Sequence, residues 1–203
     1  MRRHRRPAVA ILAAAAAAAA VVVAASNASA APGVPAFLDP AELPPRAGAA
    51  WYGGAVTSGV PDPLPFCVGE ALPGATSRHR AFWTDLDTSA VQVTVVERDA
   101  SRAEALAGLL DKAVKDCAGK VEQEDPGTRA TWRDLGRVQV ADGAHVQGVQ
   151  TTRAETGSDV HLFSVGRDGR TVTVVHWGQM GTFKDAPVSG FRNTTRTAVN
   201  KLY

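Results

Sequence analysis

Cysteine is scarce in this chain: Cys67 and Cys117 are the only two in 203 residues. They lack C-x-x-C spacing, and two cysteines alone make a poor zinc site, so neither a thioredoxin-like redox motif nor a zinc centre is supported. The common catalytic signatures are missing as well. There is no G-x-S-x-G nucleophile elbow, no H-E-x-x-H zinc helix and no G-x-x-x-x-G-K phosphate loop. After residue 25 no apolar run approaches the roughly 20 residues needed to cross a bilayer. No internal repeat or low-complexity stretch follows residue 30.

What is present first is a three-part export signal. Arg2, Arg3, Arg5 and Arg6 precede an apolar run from Ala8 to Ala25, and Ala28-Ser29-Ala30 supplies the small-x-small cleavage pattern. Residues 1–30 are therefore expected to be cleaved and the protein secreted. An uncleaved anchor is the alternative, which the weakly inserting alanines and the cleavage pattern disfavour. No cysteine stands at the cleavage point, so there is no lipobox for a lipid anchor. The segment carries four of the 22 basic residues and none of the 20 acidic ones, leaving the mature chain at −2. A phosphate-binding surface needs a basic face, so nucleic acid is excluded as a partner. Export also places both cysteines in an oxidising compartment, which predicts a Cys67–Cys117 disulfide. Such a cross-link, closing a loop of about 50 residues, is worth up to about 4 kcal/mol in the chain-entropy model.

Residues 31–36 read as a short linker and 37–203 as one domain. Asp39 caps a brief helical turn that begins at Pro40 and stops at Pro44-Pro45. Residues 46–78, rich in Gly and Pro, read as an irregular segment that the disulfide ties down. Ser101 to Ala118 is the clearest helix. Ser101 and Glu104 form an S-x-x-E capping box, Gly119 is the stop, and Leu106, Leu110, Ala113, Val114 and Cys117 share one face. Residues 80–87 read as a strand or an extended segment, and strands are predicted over 90–97, 130–140 with a defect near Gly136, 144–154, 160–166 and 170–177. A last helix opens at Asp185-Ala186-Pro187 and is lined by Phe191, Thr195, Ala198, Val199 and Leu202. This order predicts an α+β domain: an antiparallel sheet with two main helices packed on one face and one disulfide.

Several of these pieces carry a resemblance. Phe37-Leu38-Asp39-Pro40-Ala41-Glu42-Leu43, Leu64-Pro65-Phe66-Cys67, the valine-rich strand Val91 to Val96, the helix ending in Cys117 and the Asp185-Ala186-Pro187 helix start occur in the order and spacing of a known family. The chain resembles the PknH-like extracellular sensor domains of actinobacterial receptor kinases and their stand-alone secreted relatives. The resemblance implies a sensor-like fold with a ligand-holding cleft. It departs from the kinase-linked members in having a single cysteine pair and in placing Val114 where they carry a Trp.

Two sets of residues are candidates for binding. If Asp168-Gly169 is a two-residue hairpin turn, His161 faces His176 across antiparallel strands, about 5 Å apart. Imidazoles that close resist double protonation, which suits a pH-sensitive or metal-binding spot, although a metal needs a third ligand. Trp51 and Tyr52 lie in the irregular segment, where loops bordering a sheet commonly carry binding residues. Together these features predict a non-catalytic, sensor-like secreted binding domain without a cofactor, whose partner is a small molecule or an envelope protein. The alternative is a secreted hydrolase using His161 or His176 with a nearby carboxylate.

Overall fold

A computed structural model of the chain describes residues 33–203. The export signal and cleavage pattern lie outside the described residues. The described residues include no helix long and apolar enough to cross a membrane.

The elements follow in the order β1 (Tyr52–Gly53), β2 (Thr57–Ser58), β3 (Ser77–Trp83), β4 (Ser89–Val96), α1 (Ala100–Glu124), β5 (Thr128–Val138), β6 (Ala144–Arg153), β7 (Gly157–Asp168), β8 (Thr171–Met180) and α2 (Val188–Asn200). All strands join one antiparallel sheet in the order β1-β3-β4-β8-β7-β6-β5, with β2 also paired to β3. The α+β class, the antiparallel sheet and the two helices are those expected from sequence. The predicted disulfide is present too, joining Cys67 to Cys117 with 5.4 Å between Cα atoms.

The helices do not share a face, and here the expectation is corrected. Leu106, Leu110, Val114 and Cys117 of α1 cluster with Val93, Val149, Phe163 and Val174 on one side of the sheet. Phe191, Ala198 and Val199 of α2 cluster with Val146, Leu162, Val175 and Trp177 on the other. The reason is legible in β8, where both alternating sets are apolar: Val172 and Val174 on one face, Val175 and Trp177 on the other. A strand with two apolar faces must be covered twice.

Element boundaries also differ from expectation, β3 by beginning at Ser77 and ending at Trp83 where 80–87 was expected. Helix α1 begins one residue earlier, because Asp99 rather than Ser101 accepts the capping hydrogen bond, from Arg102 N at 2.9 Å. It also runs through Gly119 to Glu124, because Val121, one turn beyond Cys117, extends the buried face. The β7–β8 turn is Gly169-Arg170, with Asp168 paired to Thr171, so the register is displaced from the predicted one. Gly169 takes φ +52°, the left-handed first position that a tight hairpin reserves for glycine. By contrast, the defect foreseen near Gly136 is a β-bulge between Asp134 and Arg137, where Gly136 has φ +87°.

The N-terminal segment is fastened to the α2 side of the sheet. Leu38 N donates to the buried Gln92 side chain at 2.7 Å, and Gln92 Nε2 donates to Thr173 at 3.1 Å. Helix α2 approaches β7 closely, since a Cβ added at Gly166 would overlap Val199 Cγ2. Val199 is fully buried and has no room to retreat. Gly166→Ala is therefore expected to cost about 1–3 kcal/mol by overpacking. The check is a lower urea midpoint with an unchanged slope.

Candidate functional site

His161 and His176 meet on the α1 face of the sheet. The observed register sets Phe163 opposite His176 and His161 opposite Gly178, so the histidines are diagonal rather than direct neighbours. The displaced register keeps them on one face, and their rings approach with Nδ1 of His161 3.1 Å from Nε2 of His176. The hydrogen-bonded state has one nitrogen donating and the other accepting. Phe163 stacks on His176 at 4.6 Å between centroids and only 4° between planes. Phe66 covers the pair from above, 4.6 Å from His161. Phe66 immediately precedes Cys67, so the disulfide to α1 holds this cover in place.

The electrostatics follow from that enclosure. Burial lowers His161 to about 4, partly opposed by the charge of Asp159. Burial lowers His176 to about 3, and the neighbouring His161 adds to the effect. Both are therefore neutral near pH 7. Among the described residues no group of three His, Cys, Asp or Glu is arranged to hold a metal ion.

Trp51 and Tyr52 do not join the histidines. Trp51 packs against the α2-side core and donates its indole N–H to Pro44 O at 2.8 Å. Tyr52 stacks on Trp83 at the edge of the sheet and donates to Asp85 at 3.0 Å. From Tyr52 on β1 to His161 on β7 is four strand spacings, about 19 Å. The four residues singled out in the sequence thus fall in three places: the histidine pair, Trp51 and Tyr52.

The structure also shows a second polar site that the sequence reading did not assemble. A cleft of about 240 Å³ opens between α1 and the neighbouring ends of β5, β6 and β7. His145 of β6 sits at its inner end between two carboxylates. Its Nε2 lies 3.0 Å from Asp134 of β5, and its Nδ1 lies 3.2 Å from Asp111 of α1. Only the Asp134 contact has the alignment of a hydrogen bond. Gln147 donates to Asp111 at 2.9 Å. Burial pushes the Asp111 carboxyl up, against the pull of His145, Arg137 and Gln147. The hydrogen bond from His145 and the Gly136 N–H hold the exposed Asp134 below its usual range. The β5 bulge brings this group together, because the register shift sets Arg137 opposite His145. His145 lies four residues along β6 from the partner of His161, about 13 Å away.

No protein-family model matches the chain, and no curated protein matches it. Among solved structures the chain is similar to the crystal structure of the extracellular domain of PknH from Mycobacterium tuberculosis. The TM-score is 0.45 and the identity 15%, over 75% of this chain and 84% of that one. The likeness is structural and coarse, and no match in sequence joins the chain to a family.

Proposed function

We propose that the chain is an exported, non-catalytic binding domain that holds a small polar ligand in the cleft between α1 and strands β5–β7. In this reading residues 1–30 are removed as a signal, 31–36 are a linker and the rest is the binding domain. The Cys67–Cys117 disulfide fits an oxidising compartment outside the cytoplasm.

The observation that carries the reading is the cleft itself. It is concave, has room for a small molecule, and gathers charged groups from a helix and three strands around the half-buried Asp111. Convergent polar groups with a perturbed carboxylate in a cleft are the usual mark of a ligand site. The absence of a nucleophile pairing supports binding over hydrolysis. Among the described residues His161 and His176 hydrogen-bond only to each other, under Phe66, and no Ser, Thr or Cys side chain is hydrogen-bonded to either. Both nitrogens of His145 face carboxylates.

A native mass spectrum of the protein purified from its host tests this. The expected result is a population heavier than the mature chain that loses a small molecule on denaturation. A bare mass under gentle conditions, repeated from several growth states, would overturn the reading.

A further inference from the structure

The charges that line the cleft fall into two groups. Those of the first are already satisfied. Arg167 is paired with Asp142 at 2.9 Å, and Asp111 accepts from Gln147 at 2.9 Å and lies 3.2 Å from His145. Glu104 and Arg137 form the second group. Both line the cleft, yet among the described residues neither has an ion-pair partner within 4.0 Å, and they do not pair with each other.

Their placement sets them at different ends. Arg137 stands on β5 opposite His145, close enough to draw down both Asp111 and Asp134. Glu104 stands on α1 seven residues before Asp111, which is two helical turns or about 10 Å along the axis. Between them the helix presents Ala107 and Gly108 to the cleft, and a Cβ built at Gly108 would meet nothing within 4 Å. The floor between an anion and a cation is thus left open by two small residues.

We propose that this cleft takes a zwitterion, with its ammonium toward Glu104 and its carboxylate toward Arg137. This rests on the reading of the cleft as the binding site and adds the class of ligand. A plain anion would meet Glu104, Asp111 and Asp142 without enough cations to offset them. A plain cation would leave Arg137 without an ion pair, and an apolar ligand would strip water from both charges with no return. A molecule carrying both charges satisfies both walls at once. The two turns of α1 between Glu104 and the Asp111 end of the cleft, beside which Arg137 stands, favour charges several bonds apart over the adjacent pair of an α-amino acid. Free ω-amino acids and short peptides share that chemistry.

The test is a ladder of zwitterions titrated into the ¹⁵N-labelled, disulfide-intact mature protein. Glycine, β-alanine, 4-aminobutyrate, 6-aminohexanoate and diglycine are the probes, with hexylamine and hexanoate as singly charged controls. The amides of Gly108, Asp111 and Gly143 are expected to shift saturably with the longer zwitterions, and at least fivefold more weakly with either control. Diglycine binding more tightly than every ω-amino acid identifies a peptide as the source, and the reverse order identifies a free ω-amino acid. Glu104→Gln and Arg137→Gln are both exposed substitutions that leave the core intact, and each should weaken binding at least fivefold. If hexylamine or hexanoate matches 6-aminohexanoate within twofold, the zwitterion assignment fails while the cleft remains a binding site. If no probe moves the cleft amides, the assignment fails as well, and the native mass spectrum decides separately whether the cleft binds anything.

Discussion

On acidification from pH 6.5 to pH 5 the protein is expected to lose stability with a slope approaching two protons, about 2.7 kcal/mol per pH unit at its steepest. An unfolded histidine titrates near 6.5, whereas folded His161 and His176 are lowered to about 4 and about 3. The unfolded chain therefore binds both protons at a pH where the folded one binds neither. Stability from the neutral pair is whole above pH 6.5 and drains away as the pH falls through the window toward 4 and then 3. The carboxylates lie below this window. Asp39, Asp87, Asp116, Asp125, Asp134 and Asp185 are held below their usual range, so their contribution starts to be lost only below about pH 5, where their unfolded counterparts begin to protonate. Asp111, raised by burial, acts in the opposite direction. Urea unfolding at each pH measures the slope, and His161→Gln should reduce it to about one proton. A flat profile between pH 6.5 and 4.5 would show that the pair is not an enclosed, neutral one.

The histidine pair was legible in the sequence because strand alternation is robust to a register error of this kind. The turn moved by one residue, from Asp168-Gly169 to Gly169-Arg170, and each residue of β7 now faces one two places further along β8. A shift of two preserves the face, so His161 and His176 stayed together while their exact opposition was lost. The face occupied by α2 was harder to read. Val175 and Trp177 alternate with Val174 and His176, and a period of two cannot say which apolar set meets which helix. The cleft was not read at all, because it is built from parts far apart in sequence. Asp111 lies on a helix, Arg137 follows a bulge, and His145 starts the next strand. The bulge at Gly136 was foreseen, but its effect on register, which places Arg137 opposite His145, emerges only once β5 and β6 are paired. Tyr52 was noticed for its irregular surroundings, and those conceal two short strands that fasten it to the sheet edge, far from the histidines.

Removal of the disulfide is expected to lower stability by up to about 4 kcal/mol at neutral pH, the entropy of a loop of this size returned to the unfolded chain. The double variant Cys67→Ala/Cys117→Ala isolates that loss, read as a lower urea midpoint. The position of the bond adds a second consequence. Phe66 covers His161 at 4.6 Å and is the residue before Cys67, so the bond to α1 fixes the cover over the pair. With the bond gone, the segment carrying Phe66 is free to lift and water reaches the rings. Burial is the first cause of both lowered histidines, so hydration should move both back toward 6.5. The acid slope between pH 6.5 and 5 should therefore shrink in the double variant, well below two protons, even as overall stability falls. Loss of stability with an unchanged slope would mean that Phe66 is held by its own packing on His161 and Phe163. Loss of both together would tie the redox state of one covalent bond to the protonation of two histidines on the sheet beneath it.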